Sequence, residues 1–111
     1  MNPGSSEVAL SVDDALQALE ILKETDLRIL GGDILSENNG ELAYAMDFWG
    51  IYLDWSCDKK DDETEEQYLK RCYGVAKESI YKANDIAKEL NKKCYIVLVV
   101  STERARKNFG F

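Results

Sequence analysis

The chain of 111 residues is 45% hydrophobic and 32% charged, and it carries a formal net charge of −7 at pH 7. This length fits one domain with an ordinary buried core, so a natively disordered chain is not expected. The longest apolar run, residues 95–100, is far too short to span a membrane, and no basic and apolar secretory signal opens the chain. We therefore expect one cytoplasmic domain over residues 1–111, with a flexible lead at 1–10 and a tail at 102–111.

Charge is distributed unevenly along the chain. Residues 1–26 carry a net charge of −5 and residues 33–66 a net charge of −9, whereas residues 67–111 carry +6. A concentrated negative region repels nucleic acids and membrane surfaces and favours a basic partner. The alternative is an acidic surface that only keeps the protein in solution. Neither nucleic acid nor a membrane is expected as a partner.

The first predicted element is an amphipathic helix that begins after Ser11 and ends near Thr25. The Ser11 hydroxyl can accept a free backbone N–H, and Asp13 and Asp14 lie at the positive end of the helix dipole. Apolar residues then recur on one helical face: Val12, Ala15, Leu16, Leu19 and Leu22.

The second predicted element is a strand over residues 27–35, which Gly31 and Gly32 interrupt. Paired glycines within a strand indicate a bulge, a kink, or a backbone that another group approaches closely. The sequence ENNG at residues 37–40 predicts a tight hairpin turn, because Asn and Gly tolerate the positive φ that such turns require. Alternating apolar residues over 41–46 predict the returning strand.

The stretch DFWGIYLDWSCD, residues 47–58, combines aromatic residues with aspartates. Read as a strand, it places alternate residues on opposite faces. One face would hold Phe48, Gly50, Tyr52 and Asp54, and the other Trp49, Ile51, Leu53 and Trp55. The second set is more uniformly apolar, so we expect it to face the core, with Trp55 at the boundary.

A charged loop then precedes a long helix, which is predicted from about Glu65 to Leu90. Thr64 and Gln67 form a capping-box pattern at its start. Apolar residues recur every three or four positions along it: Leu69, Tyr73, Ala76, Ile80, Ala83, Ala87 and Leu90. This spacing suits a coiled-coil dimer or packing within the domain, and the small alanines favour packing within the domain.

Residues 94–101 form an almost continuous apolar run and predict a central strand. The order of elements then predicts an α+β fold, in which a mostly antiparallel four- to five-stranded sheet is packed on one side by two helices.

No catalytic or metal-binding motif is present. The chain has no histidine, which removes the commonest general base and zinc ligand. Cys57, Cys72 and Cys94 are odd in number and widely spaced, so reduced, partly buried thiols are expected rather than a disulfide framework. Cys57 lies in an acidic setting, which works against a nucleophilic role. We expect no enzyme activity, no catalytic residue, no metal and no cofactor, and a carboxylate-dependent enzyme is the least favoured alternative.

The stretch ILGGDILSENNGELAYAM, followed by DWSCD, a long acid-capped helix and CYIVLVV, resembles the immunity-40 family of bacterial polymorphic toxin systems. The resemblance covers about residues 12–101. The segment FWGIYL departs from it, because it lengthens the second strand region. The positions that match the family motif are Gly31, Gly32 and Asp33, then Trp55, Cys57 and Asp58, then the strand from Tyr95 to Val100.

This resemblance implies a small protein of toxin systems, such as those of contact-dependent inhibition, that binds a cognate toxin domain and blocks it. An acidic surface can occupy a basic substrate cleft through steered association and charge-assisted hydrogen bonds. The expected partner-binding residues are Asp47, Asp54, Trp55, Asp58, Asp61, Asp62 and Glu63. The alternative is a small regulatory or scaffold domain that binds a peptide or partner subunit through its long helix. The oligomeric state and the role of the basic tail at 104–107 stay open.

Overall fold

The computed structural model describes residues 8–101. Its elements in chain order are β1 (Ala9–Ser11), α1 (Val12–Leu22), β2 (Arg28–Asn38), β3 (Glu41–Tyr44), α2 (Ala45–Trp49), β4 (Trp55–Ser56), α3 (Glu65–Glu89) and β5 (Lys93–Ser101). The predicted α+β class and antiparallel sheet are confirmed. Two short elements, β1 and α2, were not predicted. Residues 9 and 10, assigned to a flexible lead, belong to β1, and the predicted tail at 102–111 lies outside the described residues.

The sheet has the strand order β1-β5-β2-β3, and β4 also pairs with β2. The long central pairing joins β2 to β5, from Arg28 opposite Ser101 to Glu37 opposite Lys93. The other edge of β2 is shared, since β4 pairs with residues 31–32 and β3 with residues 35–38. Two short strands therefore follow one another along a single edge, and the chain between them lies outside the sheet.

The glycine pair and the turn behave as the sequence predicts. The register between β2 and β5 shifts between Ile29 and Gly31, so Leu30 is an extra residue on β2 and forms a bulge. The hairpin between β2 and β3 has a two-residue loop, in which Asn39 has a φ of 53° and Gly40 a φ of 85°. Positive φ at both loop residues matches the right-handed twist of the two strands.

The two long helices pack on one face of the sheet and are capped as predicted. The Ser11 hydroxyl accepts a hydrogen bond from the Asp14 N–H at 3.2 Å. Thr64 and Gln67 form the reciprocal capping box, and Asn91 follows α3 with a φ of 56°. The core between these helices and the sheet includes fully buried Leu19, Ile34, Ile80 and Ile96.

The buried face of α3 differs from the predicted stripe in its first two turns. Leu69 and Tyr73 are half-buried, and Leu90 is exposed beyond the end of the helix. The face that packs on the core consists of Tyr68, Cys72, Ala76, Ile80, Ala83 and Ala87. From Ala76 onward the predicted stripe is right, and packing within the domain is confirmed. Because this stripe is covered by the domain's own core, it is not a free dimerisation face.

All three helices of the described chain lie on the same face of the sheet. Ile34 and Ser36 of β2 point to that face, where Ile34 packs in the core and Ser36 bonds to Trp49 of α2. The alternation of side chains places Leu35 on the opposite face, beside its pairing partners Tyr44 and Tyr95. That second face carries no helix of residues 8–101.

Candidate functional site

The predicted partner-binding residues lie on β4 and on the two segments that precede and follow it, where β4 pairs with the edge of β2 that it shares with β3. We call residues 45–54, which leave the sheet after β3 and return at β4, the crossing segment. We call residues 58–63, which follow β4 and lead into α3, the acidic loop. The crossing segment holds Asp47 and Asp54, and the acidic loop holds four of the other five predicted residues.

Trp55 lies over the glycine pair and explains it. A Cβ atom on Gly32 would be 2.3 Å from Cη2 of the Trp55 indole, and one on Gly31 would be 2.2 Å from the Trp55 carbonyl oxygen. Only glycine leaves room for these contacts. The Trp55 side chain is half-buried, and its indole N–H is buried without a hydrogen-bond acceptor among residues 8–101. Trp55 therefore packs mainly within the protein itself. This agrees with its predicted position at the boundary between core and surface.

Asp54 fills a gap in the hydrogen-bonding edge of β2. Ile34 lies between the two stretches of β2 that pair with β4 and β3. Its backbone N–H donates instead to Oδ1 of Asp54 at 2.8 Å. The carboxylate thus satisfies a strand N–H that would otherwise lack a partner, and it fixes the point where the crossing segment returns to the sheet.

Glu63 organises the acidic loop from within. Its carboxylate accepts hydrogen bonds from the Lys60 backbone N–H at 2.9 Å and from Nε and Nη2 of Arg71 at 2.7 and 2.8 Å. The hydrogen bond from Arg71 and then that from Lys60 lower the pKa of Glu63 to about 2. This carboxylate is therefore ionised at neutral pH and committed to an internal ion pair.

The start of the acidic loop is tied to α3 by two further bonds. Nη2 of Arg71 donates to the Asp58 carbonyl oxygen at 2.6 Å, and the Tyr68 hydroxyl donates to the Cys57 carbonyl oxygen at 2.6 Å. Burial raises the pKa of Tyr68 to about 12, which keeps that hydroxyl a donor. Both ends of the loop are thus held by side chains of one rigid helix.

The seven predicted partner-binding residues fall into two groups by exposure. Asp54, Trp55 and Glu63 are half-buried and make the internal contacts described above. The exposed group consists of Asp47, Asp58, Asp61 and Asp62. The exposed carboxylates are the ones that can approach another protein without breaking a contact within this one. The half-buried residues support the backbone that carries them.

The crossing segment is not the strand that its alternation predicted. Residues 45–49 form α2, which ends at Gly50 with a φ of 71°, and an irregular stretch leads from there to β4. Ile51 is therefore 40% exposed rather than in the core, whereas Leu53 is buried. Trp49 is half-buried and its indole N–H donates to Ser36 Oγ at 3.1 Å. Gly50 was the available signal, because glycine commonly ends helices in this conformation.

The alternation placed Phe48 and Tyr52 on the face away from the core, and both belong to an exposed apolar group on β3 and the crossing segment. It comprises six large side chains of β3 and the crossing segment: Leu42, Tyr44, Met46, Phe48, Ile51 and Tyr52. The most accessible are Phe48, at 55%, and Tyr52, at 70%. Single exposed apolar residues are common, but several aromatic residues and a methionine along one short stretch of chain are typical of an interaction surface. We call these six residues the apolar group.

A separate concave feature lies between the end of α1 and the start of α3. This cavity of about 490 Å³ is lined mainly by apolar side chains, among them Leu22, Ile29 and Leu69. Glu65 at its border is engaged by Arg28 at 2.6 Å, which lowers the pKa of that carboxyl. Lys23, Glu66 and Lys70 also line the cavity.

Two further findings on the described residues concern metal binding and membrane-spanning helices. Within residues 8–101, no three histidine, cysteine, aspartate or glutamate side chains lie together as a metal site would require. None of the helices in the same range has the length and apolar character that crossing a membrane requires.

An α+β domain that exposes carboxylates and aromatic side chains on neighbouring segments of its chain has features of a protein-binding domain. The chain belongs to the Immunity protein 40 family, whose model matches residues 1–100. This match confirms the family resemblance seen in the sequence. Membership implies that the protein neutralises a toxin. No curated protein and no solved structure matches the chain.

Proposed function

We propose that this protein neutralises its cognate toxin domain by binding it directly with the shared edge of β2. The acidic loop and the apolar group would cover a basic substrate cleft and exclude the substrate. The observation that supports this proposal is the exposure of four carboxylates, those of Asp47, Asp58, Asp61 and Asp62, on the segments on either side of β4, together with the exposed apolar group.

The rigid support of the acidic loop favours tight binding. The contacts of Arg71 with Glu63 and Asp58 hold the loop backbone before any partner arrives. A loop that is already ordered loses less conformational entropy on binding, so more of the contact energy remains as affinity. Its exposed carboxylates would then steer a basic partner into the same orientation at each encounter.

The apolar group would supply the part of the interface from which water is excluded. Aromatic residues are enriched among the few positions that dominate binding energy, and charges around them add specificity and association rate. Phe48 and Tyr52 are the strongest candidates because they expose the largest fractions.

The charge of the acidic loop can be tested with the triple variant Asp58→Asn, Asp61→Asn and Asp62→Asn. We expect the association rate with the cognate toxin domain to fall at least about tenfold at low salt, and its salt dependence to weaken. The measurement is surface plasmon resonance over a series of salt concentrations, with circular dichroism to confirm the fold.

The matched control removes three exposed carboxylates from α3, with Glu78→Gln, Asp85→Asn and Glu89→Gln. The control changes the net charge by the same amount as the acidic-loop variant. If the effect is specific to the acidic loop, the control should retain most of the wild-type association rate. Equal association rates for both triple variants would contradict the proposed role of the acidic loop.

The apolar group is tested through dissociation. We expect Phe48→Ala or Tyr52→Ala to raise the dissociation rate about tenfold or more, because truncating an interface anchor costs roughly 2 kcal/mol. Tyr81→Ala is the control, since Tyr81 is 47% exposed but lies on α3. A comparable effect of Tyr81→Ala would place the interface elsewhere.

The alternative function, a scaffold domain that binds through the long helix, loses its main support. Ala76, Ile80 and Ala83 of that helix are completely buried in the domain core. A partner could reach this stripe only by unfolding the protein.

A further inference from the structure

Cys57 and Cys72 lie side by side in the interior between β4 and α3. Their sulfur atoms are 2.6 Å apart, and the two residues are 3% and 0% exposed. A disulfide bond has a sulfur–sulfur length of about 2.05 Å, so only a small movement separates the two free thiols from a bond. We propose that Cys57 and Cys72 are a redox pair that closes to a disulfide with a small-molecule disulfide as oxidant.

The surroundings of the pair assign the two thiols different roles. Nη1 of Arg71 lies 3.3 Å from Sγ of Cys57, so a positive charge faces this sulfur. Burial and the hydrogen bond to Cys57 raise the pKa of Cys72 to about 12. Cys57 is thus the attacking thiol and Cys72 the resolving thiol. The acidic sequence around Cys57 suggested the opposite, because Arg71 is distant in sequence.

The reaction balances as two successive thiol–disulfide exchanges. The Cys57 thiolate attacks one sulfur of the small disulfide, forms a mixed disulfide and releases one small thiolate. Cys72, after losing its proton to solvent, attacks the Cys57 sulfur and releases the second small thiolate. The two cysteines are oxidised by two electrons, and the small disulfide is reduced to two thiols.

Access to the buried pair is provided by its place in the fold. Cys57 directly follows β4, a strand of only two residues, and its N–H donates to the Leu30 carbonyl oxygen at 2.8 Å. Opening this short edge strand exposes Cys57 without unfolding the central strands. Cys72 stays on the rigid helix α3 and receives the sulfur when the edge closes again.

The disulfide would span the acidic loop. Residues 57 and 72 enclose Asp58, Asp61, Asp62 and Glu63, so the bond would fix both ends of the loop covalently. Closing a loop of about 15 residues removes much conformational freedom from the unfolded chain. The oxidised protein is therefore expected to be the more stable form, with the loop in its present position.

The test equilibrates the folded wild-type protein with oxidised glutathione, then denatures it and alkylates free thiols with N-ethylmaleimide. The reduced protein has three free thiols. After oxidation we expect one adduct, on Cys94, and a loss of about 2 Da before alkylation, as a disulfide requires. Three adducts after this treatment, or a disulfide that contains Cys94, would overturn the proposal.

Variants and a stability measurement complete the test. Cys94→Ser should still form the bond and leave no free thiol, whereas Cys57→Ser and Cys72→Ser should not form an internal disulfide. The oxidised Cys94→Ser protein should melt about 10 °C above its reduced form, as a loop of this size predicts. An unchanged or lower Tm would overturn the inference that the bond fits the native structure. No step uses the toxin, so this result is independent of the proposed function.

Discussion

Gly32 cannot be replaced by a larger residue without disturbing the structure, because the indole of Trp55 occupies the space that a side chain would need. We expect Gly32→Ala to lower the free energy of unfolding by about 3 kcal/mol, since overpacking a tight contact forces backbone or ring displacement. Urea denaturation followed by tryptophan fluorescence measures this change.

Gly74→Ala is the matched control for Gly32→Ala. Gly74 lies inside α3, and a Cβ there would meet nothing within 4 Å. Alanine is a better helix former than glycine, so we expect a gain of about 1 kcal/mol in the free energy of unfolding. Two substitutions of the same kind should therefore shift stability in opposite directions, and a loss of stability in both would refute this account of the glycine pair.

Asp54 can be tested separately as a structural acceptor and as a charge. Asp54→Ala should cost about 2 kcal/mol of stability, because the Ile34 N–H loses the acceptor that it now has at 2.8 Å. Asp54→Asn keeps an oxygen at that position and should cost less than about 1 kcal/mol. Thermal denaturation distinguishes them, and equal losses would show that the charge rather than the hydrogen bond is needed.

Composition alone does not separate the aspartates and glutamates of the predicted site. Asp54 and Glu63 are used inside the protein, whereas Asp61 and Asp62 face solvent. The difference depends on Ile34 and Arg71, which are distant in sequence from the acids that they bind. The acidic region could be predicted from the sequence. Which of its carboxylates bond within the protein and which face solvent could be seen only in the fold.

At the scale of elements, the ion pair of Glu63 predicts how the acidic loop responds to acid. The pKa of Glu63 falls from 4.5 in the unfolded reference to about 2 in the folded protein. Its stabilising contribution is therefore complete above pH 4.5 and is lost as the pH falls towards 2. We expect the difference in stability between wild type and Glu63→Gln to be constant near neutral pH and to shrink across this window.

The measurement is urea denaturation at a series of pH values, with Asp61→Asn as the control for removing one negative charge from the same loop. A stability difference between wild type and Glu63→Gln that grows as the pH falls would have the wrong sign. That outcome would mean that the Arg71 contact does not hold in solution.

Most helices and strands could be predicted from the sequence because the residues that start and end them lie close together in the chain. The Ser11 cap, the capping box at Thr64 and the Asn39–Gly40 turn each depend on residues within three or four positions. The crossing segment was misassigned for a physical reason. Its aromatic residues have strong strand propensity, yet no neighbouring strand is available for them to pair with, and α2 forms instead.

At the scale of the whole molecule, the central pairing of β2 with β5 should be the most stable part. Both strands are covered by α3, whereas β4 and the crossing segment lie at an edge. We expect the backbone amides that bond β2 to β5 to exchange hydrogen most slowly, and those of residues 50–56 to exchange much faster. Hydrogen exchange measured by NMR tests this, and slow exchange throughout residues 50–56 would contradict it.

The fold class was predictable because the long helix and the apolar strand at 94–101 leave few alternatives. β1 was missed because a strand of three residues carries no period of its own, and it exists only through its pairing with β5. The small shift of the buried stripe to Tyr68 and Cys72 was missed as well. It follows from the contacts of these two residues with Cys57, which are not visible in the helix's own sequence.

The crossing segment departs from β3 and rejoins the sheet at β4, so its length is not tied to the pairing of the strands. Residues 46–52 make no strand pairing, so no hydrogen-bond register dictates their number. Insertions or deletions between Trp49, which bonds to Ser36, and the buried Leu53 would leave both of these anchors in place. Under the proposed function, changes in the exposed side chains of this stretch would alter the choice of toxin on the same scaffold. The exposed residues of 46–52, with Trp49 retained because it bonds to Ser36, are then the target for redirecting the protein to a new toxin by library selection.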